Sequence, residues 1–341
     1  MTAVVGRTAA IFGCAGLTLG RDEAAFFREA DPFGFIVFAR NVDTPAQLSR
    51  LTADLRAAVG RDAPVLVDQE GGRVQRLRTP HWREWQPPLD AIRAAPDLHT
   101  ATRAMELRAR LIAHELRAVG IDANCAPVAD IADEFTHPFL RNRCYGTDAG
   151  AVITIAAAVA RGLLSGGVLP VIKHLPGHGR SHADTHHDLP TVTVDRATLA
   201  ATDFAPFRAL NHLPMAMTAH IVFSAFDPDH PATQSPEMIR VIRDQIGFGG
   251  LLITDDLNMQ ALSGALPDRV ARAMAAGCDI ALHCKGDLAE MQAVATAAGA
   301  MSPATQGRAK AALAARKIPA DIDIAALEAD LAGLPQGMVY V

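Results

Sequence analysis

The chain has 341 residues, of which 50% are hydrophobic and 20% are charged, and its formal net charge at pH 7 is −5. This composition predicts a large folded core and excludes intrinsic disorder. The acidic balance argues against nucleic acid as a partner, because phosphate binding needs a basic surface. No stretch reaches the ~18 consecutive apolar residues of a membrane span. The five cysteines are odd in number and include no CxxC pair, which predicts a reduced, cytoplasmic protein.

Short apolar runs alternate with amphipathic stretches along the chain. The runs predict eight buried strands, at residues 9–13, 34–39, 64–68, 121–127, 168–174, 214–220, 250–255 and 279–283. Helices are predicted between them, for example at residues 44–59, 101–118, 149–165 and 196–210. Asp43 or Thr44 is the expected N-cap of the first of these helices, and Asp148 that of the third.

This alternation predicts an α/β protein with a single (β/α)8 TIM-type barrel. An open doubly wound sheet is the alternative, but no GxGxxG motif follows an early strand. We expect the barrel to be one catalytic domain spanning residues 1–318. Residues 319–341 are predicted to form a helical tail, with one helix at 324–331 packed outside the barrel.

Polar residues stand where several of the predicted strands end. Active sites of such barrels are built at the C-terminal strand ends, so we expect these side chains to meet at one rim. They are Arg40, Asn41, Asp68, Asp130, Lys173, His174, His220, Asp255 and Asp256.

The segment at residues 173–190 (KHLPGHGRSHADTHHDLP) carries the highest density of reactive side chains. Its histidines recur every four residues, a spacing that would form a metal-binding face on a helix. Pro176, Gly177 and Gly179 argue against a helix, so we interpret the segment as a strand end followed by a long loop. A metal-dependent amidohydrolase remains an alternative, but Gly13-Cys14 occupies the position where that class carries His-x-His. Its ligands would be His174, His178, His182 and Asp255.

Residue type alone leaves each candidate with two interpretations. Asp255 is either an attacking carboxylate facing the rim or an N-cap for a helix starting at Leu257, a role that Asp256 would fill better. Asp184 and His186 are two residues apart, so an extended loop can point both the same way, as an acid–base pair requires. The alternative is an exposed polar loop.

Two further pairs of residues have side chains that could bind the hydroxyl groups of a sugar. Asp68 and Arg76, separated by Gly71-Gly72, match polyol recognition or a structural ion pair. Lys173 and His174 could bind hydroxyl groups or form a satisfied core pair.

Taken together, these motifs resemble a known family. KHLPGHG followed by DTH, DQEGGRVQR and GLLITDDLNM resemble the β-N-acetylhexosaminidases of glycoside hydrolase family 3. The resemblance extends from GFIVFARN to AGCDIAL, nearly the whole chain. The single-barrel form is similar to the bacterial cytoplasmic enzyme of cell-wall recycling.

The resemblance implies a role for each matching position. Asp255, rather than Asp256, corresponds to the nucleophile, and His186 corresponds to the acid/base, oriented by Asp184. His187 is the alternative imidazole. Arg141 is the alternative to Arg143 among the implied substrate contacts, which are Asp68, Arg76, Arg143, Lys173 and His174.

The implied reaction is the removal of terminal non-reducing β-N-acetylglucosamine with retention, through a covalent glycosyl-Asp intermediate. The expected substrates are peptidoglycan muropeptide fragments or chitooligosaccharides, acted on by a monomer that uses no metal or cofactor and binds no membrane. We expect the loop at residues 173–190 to close over bound sugar and deliver His186. A catalytically silent sugar-binding barrel is the remaining alternative, which the intact Asp184, His186 and Asp255 set disfavours.

Overall fold

The structure is a computed structural model that describes residues 4–181, 189–319 and 322–335. Within these residues, eight parallel strands form a closed barrel. They are β1 (Thr8–Gly13), β2 (Pro32–Val37), β3 (Val65–Val67), β4 (Ala123–Asn124), β5 (Leu169–Leu175), β6 (Met215–Thr218), β7 (Leu251–Asp256) and β8 (Ile280–His283).

Each barrel strand pairs with the next strand in sequence, and β8 closes the ring on β1. The closing register places Ala10 beside Ala281 and Phe12 beside His283. The predicted TIM-type barrel is therefore confirmed, and the open doubly wound alternative is wrong.

Helices surround the barrel in the part of the chain that the structure describes. They are α1 (Arg21–Ala30), α2 (Pro45–Val59), α3 (Pro88–Arg93), α4 (Leu98–Ala118), α5 (Pro138–Arg141), α6 (Ala149–Ser165), α7 (Arg196–Ala201), α8 (Ala205–Ala209), α9 (Pro236–Arg240), α10 (Leu266–Ala276), α11 (Leu288–Ala298), α12 (Pro303–Ala314) and α13 (Ile324–Ala332). Thr44 caps α2 by accepting from Gln47 N, and Asp148 caps α6 by accepting from Ala151 N. Both caps satisfy backbone donors that lack a partner within the helix.

Three predicted elements differ from the structure. The helix predicted at residues 196–210 is two helices, α7 and α8, because Pro206 has no N–H and its ring would clash with the carbonyl of residue 202 in a continuous helix. Strand β4 covers only Ala123–Asn124 and is shorter than predicted, and Pro127, which cannot donate to the ladder, lies beyond its end. Residues 257–262 form turns rather than the start of a helix, so Asp255 is not a helix N-cap.

Strand side chains alternate between two apolar layers. Ile11 points into the barrel interior, with Leu66 and Val171, whereas Phe12 packs between the barrel and its surrounding helices. This alternation follows from the two-residue repeat of a strand. Because side chains fill the interior, a ligand can bind at the open end of the barrel but not through its centre.

The tail residues 322–335 carry helix α13, which packs against α4. Arg83 pairs with Glu328, and Arg103 lies 3.7 Å from Asp330. The division of the chain at residue 318 stays a prediction. None of the helices in the described ranges combines the length and the apolar character needed to cross a bilayer.

At the N-terminal end of the barrel, the buried carboxylate of Asp122 links the start of strand β4 to strand β3 and to two arginines. Asp122 Oδ1 accepts from Val65 N at 2.8 Å, and the same carboxylate pairs with Arg56 at 3.2 Å and Arg316 at 2.6 Å. Asp62 pairs with the same two arginines, at 2.9 and 3.0 Å, but its side chain is 72% exposed whereas that of Asp122 is 1% exposed. The two aspartates are therefore a matched pair that differs mainly in burial.

We expect Asp122→Ala to lower the free energy of unfolding by about 3–5 kcal/mol, because it leaves the buried N–H of Val65 without its acceptor and removes the buried partner of two arginines, which keep only the exposed carboxylate of Asp62. Asp62→Ala should cost at most about 1 kcal/mol, since solvent already screens its ion pairs. Urea unfolding followed by circular dichroism measures both. Equal losses for the two variants would contradict the assignment of the stability to burial.

Candidate active site

A cavity of about 160 Å³ opens at the C-terminal end of the barrel. Polar side chains from four strand ends and their following loops converge on it, against an apolar wall. The polar residues are Asp68, Arg76, His137, Arg143, Lys173, His174, His178, Asp255 and Asp256, and the apolar wall includes Phe38, Val74, Phe139, Leu140, Met217 and Met259. Most of the predicted rim residues therefore lie together.

Five side chains alternate in charge along one side of this cavity, and we call this set the charge chain. Arg76 lies 3.1 Å from Asp68, and Asp68 lies 2.9 Å from Lys173 Nζ. Lys173 Nζ is also 2.6 Å from Glu70 Oε1. Glu70 binds Arg143 through both carboxylate oxygens, at 2.8 and 2.9 Å. The order is thus cation, anion, cation, anion, cation, with one positive charge in excess.

The local sequence explains how the two anions of the charge chain reach the cavity. After β3, residues Gln69–Gly71 form a short antiparallel ribbon with Val74–Gln75. Gly71 and Gly72 have φ of 110° and 60°, which favours glycine at the turn. A Cβ on Gly71 would also collide with the guanidinium of Arg108. The ribbon places Asp68 and Arg76 side by side.

The pKa values of the charge chain are set by competition between burial and neighbouring charges. Burial raises the pKa of Asp68 and Glu70, but Lys173 and Arg76 beside Asp68, and Arg143 and Lys173 beside Glu70, hold both below their usual ranges. Burial lowers the pKa of Lys173 and Arg143, but the two carboxylates raise both above their usual ranges. All four groups are therefore ionised at neutral pH.

His174 is held by a buried carboxylate on its far side. Asp130 Oδ2 lies 2.7 Å from His174 Nδ1, and Asp130 Oδ1 accepts from the backbone N–H of His174 and His178. In the neutral imidazole, this contact places the proton on Nδ1 and leaves Nε2 as an acceptor, 3.5 Å from Arg143. Burial, with a contribution from His174, lowers the pKa of His178 to about 4, so His178 is neutral at physiological pH.

Asp255 is the penultimate residue of strand β7, and it lines the cavity. Its Oδ1 accepts from Asp256 N at 2.8 Å. Burial raises the pKa of Asp255, but His220 and His174 in their protonated forms, the Asp256 N–H and Lys173 outweigh burial and hold it below its usual range. Asp255 is therefore an ionised carboxylate facing an open cavity, which is the state that a nucleophile requires.

Asp256 differs from its neighbour in its environment. Its Oδ1 accepts from the backbone N–H of Asn258 and of Cys284, both at 3.2 Å. Burial, opposed by the Asn258 N–H and reinforced by the charge of Asp255, raises the pKa of Asp256 to about 6. Two adjacent carboxylates thus have pKa values pushed in opposite directions, as in sites that divide acid and base roles.

His220 supports the end of β7 from behind. It is fully buried, its Nε2 donates to Asp256 O at 3.0 Å, and its Nδ1 lies 2.8 Å from Thr233 Oγ1. Burial lowers the pKa of His220, although Asp255 opposes this effect, so the ring is neutral and does not itself line the cavity.

The predicted site residues divide into those that the structure brings together and those that lie outside it. Asp68, Arg76, Arg143, Lys173, His174 and Asp255 all line the cavity. Arg143, and not the alternative Arg141, is among the lining residues. Asp184 and His186 lie outside the described residues, as do His182 and His187, so the predicted loop closure and acid–base pair stay predictions.

Four of the predicted rim residues do not line the cavity. Asp130 and His220 support the site from behind, whereas the side chains of Arg40 and Asn41 bind backbone carbonyls. Arg40 donates to the carbonyl oxygens of Cys14 and Cys284, and Asn41 donates to those of Cys14 and Gly16. Both connect β-strand ends structurally rather than lining the cavity.

Among the residues described, no group of three or more His, Cys, Asp or Glu side chains is arranged to hold a metal ion. The alternative metal site would need His174, His178, His182 and Asp255, of which His182 lies outside the described residues. Asp130 already holds the Nδ1 of His174.

The sequence interpretation missed two residues of the site. Glu70 was not singled out, although it stands two residues after Asp68, where an extended chain points side chains the same way. His137 lines the cavity from a loop between β4 and β5, where its Nδ1 accepts from Phe139 N at 3.2 Å. Only the folded loop brings His137 to the rim.

Comparisons with known proteins agree with this geometry. The Glycosyl hydrolase family 3 N terminal domain matches residues 21–314. A β-hexosaminidase of Stenotrophomonas maltophilia (strain K279a) is 36% identical over 287 residues, covering 82% of this chain and 84% of that protein.

Two solved structures are similar over most of the chain. NagZ from Neisseria gonorrhoeae, in complex with N-trifluoroacetyl-D-glucosamine, has a TM-score of 0.79 at 28% identity and covers 97% of this chain and 99% of its own. A family 3 β-N-acetylglucosaminidase from Paenibacillus sp. str. FPU-7 has a TM-score of 0.82 at 31% identity. That match covers 92% of this chain and 63% of the longer Paenibacillus chain. The family predicted from the sequence motifs is confirmed: the chain belongs to glycosyl hydrolase family 3, and it is a glycosidase of the β-hexosaminidase type.

Proposed function

We propose that the protein is a retaining β-N-acetylglucosaminidase that removes terminal non-reducing β-linked N-acetylglucosamine. The observation that carries the proposal is Asp255, an ionised carboxylate that lines a cavity whose side is formed by the charge chain. The relatives described above support the substrate class, since they are β-hexosaminidases and one of them was crystallised with an N-acylated glucosamine.

The charge chain and His174 supply the groups that sugar hydroxyls need. Asp68 presents carboxylate oxygens that accept from hydroxyl groups, whereas Lys173, Arg76 and Arg143 donate to hydroxyl oxygens. His174 offers Nε2 as an acceptor, because Asp130 holds its proton on the other nitrogen. Such pre-organised donors and acceptors place the anomeric carbon over Asp255 without further ordering of side chains.

In the proposed first step, a carboxylate oxygen of Asp255 forms a bond to the anomeric carbon while the bond to the leaving-group oxygen breaks. The leaving oxygen takes a proton from the imidazolium of His186. In the second step, water attacks the anomeric carbon, neutral His186 takes the water proton, and Asp255 is released. Asp184 orients His186 and favours its protonated form. Sequence alone supports the roles of His186 and Asp184.

Asp256 is a rival acid/base because its pKa is about 6, near the ~6.5 of an unperturbed histidine. Geometry disfavours Asp256, since its Oδ1 already accepts two backbone N–H groups that shape the turn after β7. A pKa measured from a pH profile would not show whether Asp256 or His186 is the acid/base. Variants of each residue are therefore needed to distinguish them.

The natural substrates that we propose are muropeptide fragments released during peptidoglycan recycling, with chitooligosaccharides as the alternative. A cytoplasmic, monomeric enzyme fits this role. All five cysteines lie in the described ranges and are free thiols, which supports a reducing compartment.

Asp255→Ala should lower kcat by about 10⁴-fold or more, because the covalent intermediate cannot form. Turnover of 4-nitrophenyl N-acetyl-β-D-glucosaminide measures the loss, with circular dichroism as the control for folding. A 5-fluoro N-acetylglucosaminyl fluoride should label Asp255 in the wild-type protein. Peptide mass spectrometry that places the label on Asp256 would show that the nucleophile is assigned one residue too early.

For a substrate with a poor leaving group, such as N,N′-diacetylchitobiose, kcat/KM should fall as pH rises through the pKa of His186. The sign follows because the first step needs His186 protonated, and a neighbouring carboxylate raises the pKa of a histidine above its unperturbed ~6.5. The acidic limb should lie well below neutrality, since the pKa of Asp255 is below its usual range.

His186→Ala should remove the alkaline limb and lower kcat/KM on the disaccharide by about 10²–10⁴-fold. Asp256→Asn is the matched control and should keep that limb. If the limb instead disappears in Asp256→Asn and persists in His186→Ala, Asp256 is the acid/base and the proposal is wrong on that residue.

A further inference from the structure

The geometry points to Glu70 as the positioning residue that holds both Lys173 and Arg143 against the substrate. This inference rests on the proposed function and adds a residue to it. Glu70 itself is not among the side chains that line the cavity, whereas Lys173 and Arg143 are. Glu70 therefore acts through its two partners rather than by touching the sugar.

The contacts of Glu70 hold its carboxylate in a single orientation. Oε1 lies 2.6 Å from Lys173 Nζ and 2.8 Å from Arg143, and Oε2 accepts from Arg143 Nε at 2.9 Å. The Glu70 side chain is 0% exposed, and that of Lys173 is 2% exposed. A bidentate Arg–carboxylate pair is directional, so the plane of the Arg143 guanidinium follows the plane of the Glu70 carboxylate.

The backbone around Glu70 is anchored on both sides. Arg108 donates to Glu70 O at 2.6 Å. The preceding residue, Gln69, exchanges two hydrogen bonds with Asn124, at 2.9 and 3.0 Å, and its Oε1 accepts from Arg76 N at 2.9 Å. The segment that carries Glu70 thus also positions Arg76, and it is attached to strand β4. Glu70 is held tightly enough to impose its geometry on its partners.

Glu70 also provides the negative charge between two cations, Lys173 and Arg143. Lys173 and Arg143 both contact Glu70 Oε1, and the charge of Arg143 works to lower the pKa of Lys173. Without the negative charge of Glu70, Lys173 keeps Asp68 as a partner, but Arg143 loses the carboxylate that it binds. The like charges then repel each other in a buried site, where water screens them poorly. We expect Arg143 to leave its position and the pKa of Lys173 to fall.

Two substitutions of Glu70 test the charge and the length of its side chain separately. Glu70→Gln keeps the side-chain size but removes the charge. Glu70→Asp keeps the charge but is one methylene shorter, so it cannot hold both partners at hydrogen-bond distance. Glu115→Gln is the matched control, because Glu115 is also buried and pairs with an arginine, Arg83, away from the cavity.

On 4-nitrophenyl N-acetyl-β-D-glucosaminide, Glu70→Gln and Glu70→Asp should each lower kcat/KM by about 100-fold, the effect expected when binding groups are displaced by about 1 Å. Glu115→Gln should stay close to wild type at matched folded fraction. A Glu70→Gln enzyme with wild-type kcat/KM would overturn the inference. A loss no larger than that of Glu115→Gln, after correction for folded protein, would reduce Glu70 to a structural residue.

A second measurement does not depend on turnover. The chain contains four lysines, Lys173, Lys285, Lys310 and Lys317, so ¹⁵N-lysine labelling gives few side-chain signals, and Lys173→Arg assigns the buried one. Titration by NMR should show a lower pKa for Lys173 in Glu70→Gln than in wild type or Glu70→Asp. An unchanged Lys173 pKa in Glu70→Gln would overturn the role of Glu70 in setting the charge of the site. Inactive wild-type enzyme with the expected Lys173 shift would refute the proposed function and leave the role of Glu70 standing.

Discussion

The charge chain of Arg76, Asp68, Lys173, Glu70 and Arg143 is the interaction on which the active site depends. Burying any one of these charges alone would raise the free energy of the folded protein. The oppositely charged neighbours offset this desolvation cost only when every contact in the charge chain is made. The alternation therefore couples the five side chains: displacing one leaves its neighbours buried without a counter-charge. One positive charge in excess remains, and Lys173, one of the cations, contributes to the low pKa of Asp255.

Buried carboxylates serve different purposes at the two ends of the barrel, stabilising the fold at the N-terminal end and forming the active site at the C-terminal end. At the N-terminal end, Asp122 satisfies a strand N–H and two arginines, and its carboxylate is closed off from solvent. At the C-terminal end, Asp68 and Asp255 face a cavity, so part of their hydrogen-bonding capacity is available to a sugar. Both ends use buried carboxylates. The difference lies in whether the protein occupies every acceptor position or leaves some for a ligand.

Neighbouring residues of one strand end acquire different chemistry from their surroundings. Asp255 and Asp256 have the same side chain, yet the positive groups near Asp255 lower its pKa while burial raises that of Asp256. His174 and His220 differ in a similar way. Asp130 leaves Nε2 of His174 facing the site, whereas both nitrogens of His220 contact Thr233 and the backbone of Asp256. These partners come from other strands and loops, so residue type alone could not distinguish the roles.

The sequence by itself determined the barrel and the family, because strand and helix periodicity is local and the motifs around Asp68, Lys173 and Asp255 are contiguous. It placed most of the cavity residues, since the C-terminal ends of parallel strands must meet at one rim. Only the tertiary structure decided that Arg40 and Asn41 bind backbone carbonyls, and that Glu70 is shared between Lys173 and Arg143. Those assignments depend on contacts between residues far apart in the chain, 103 positions for Glu70 and Lys173 and 244 for Arg40 and Cys284, which no local pattern encodes.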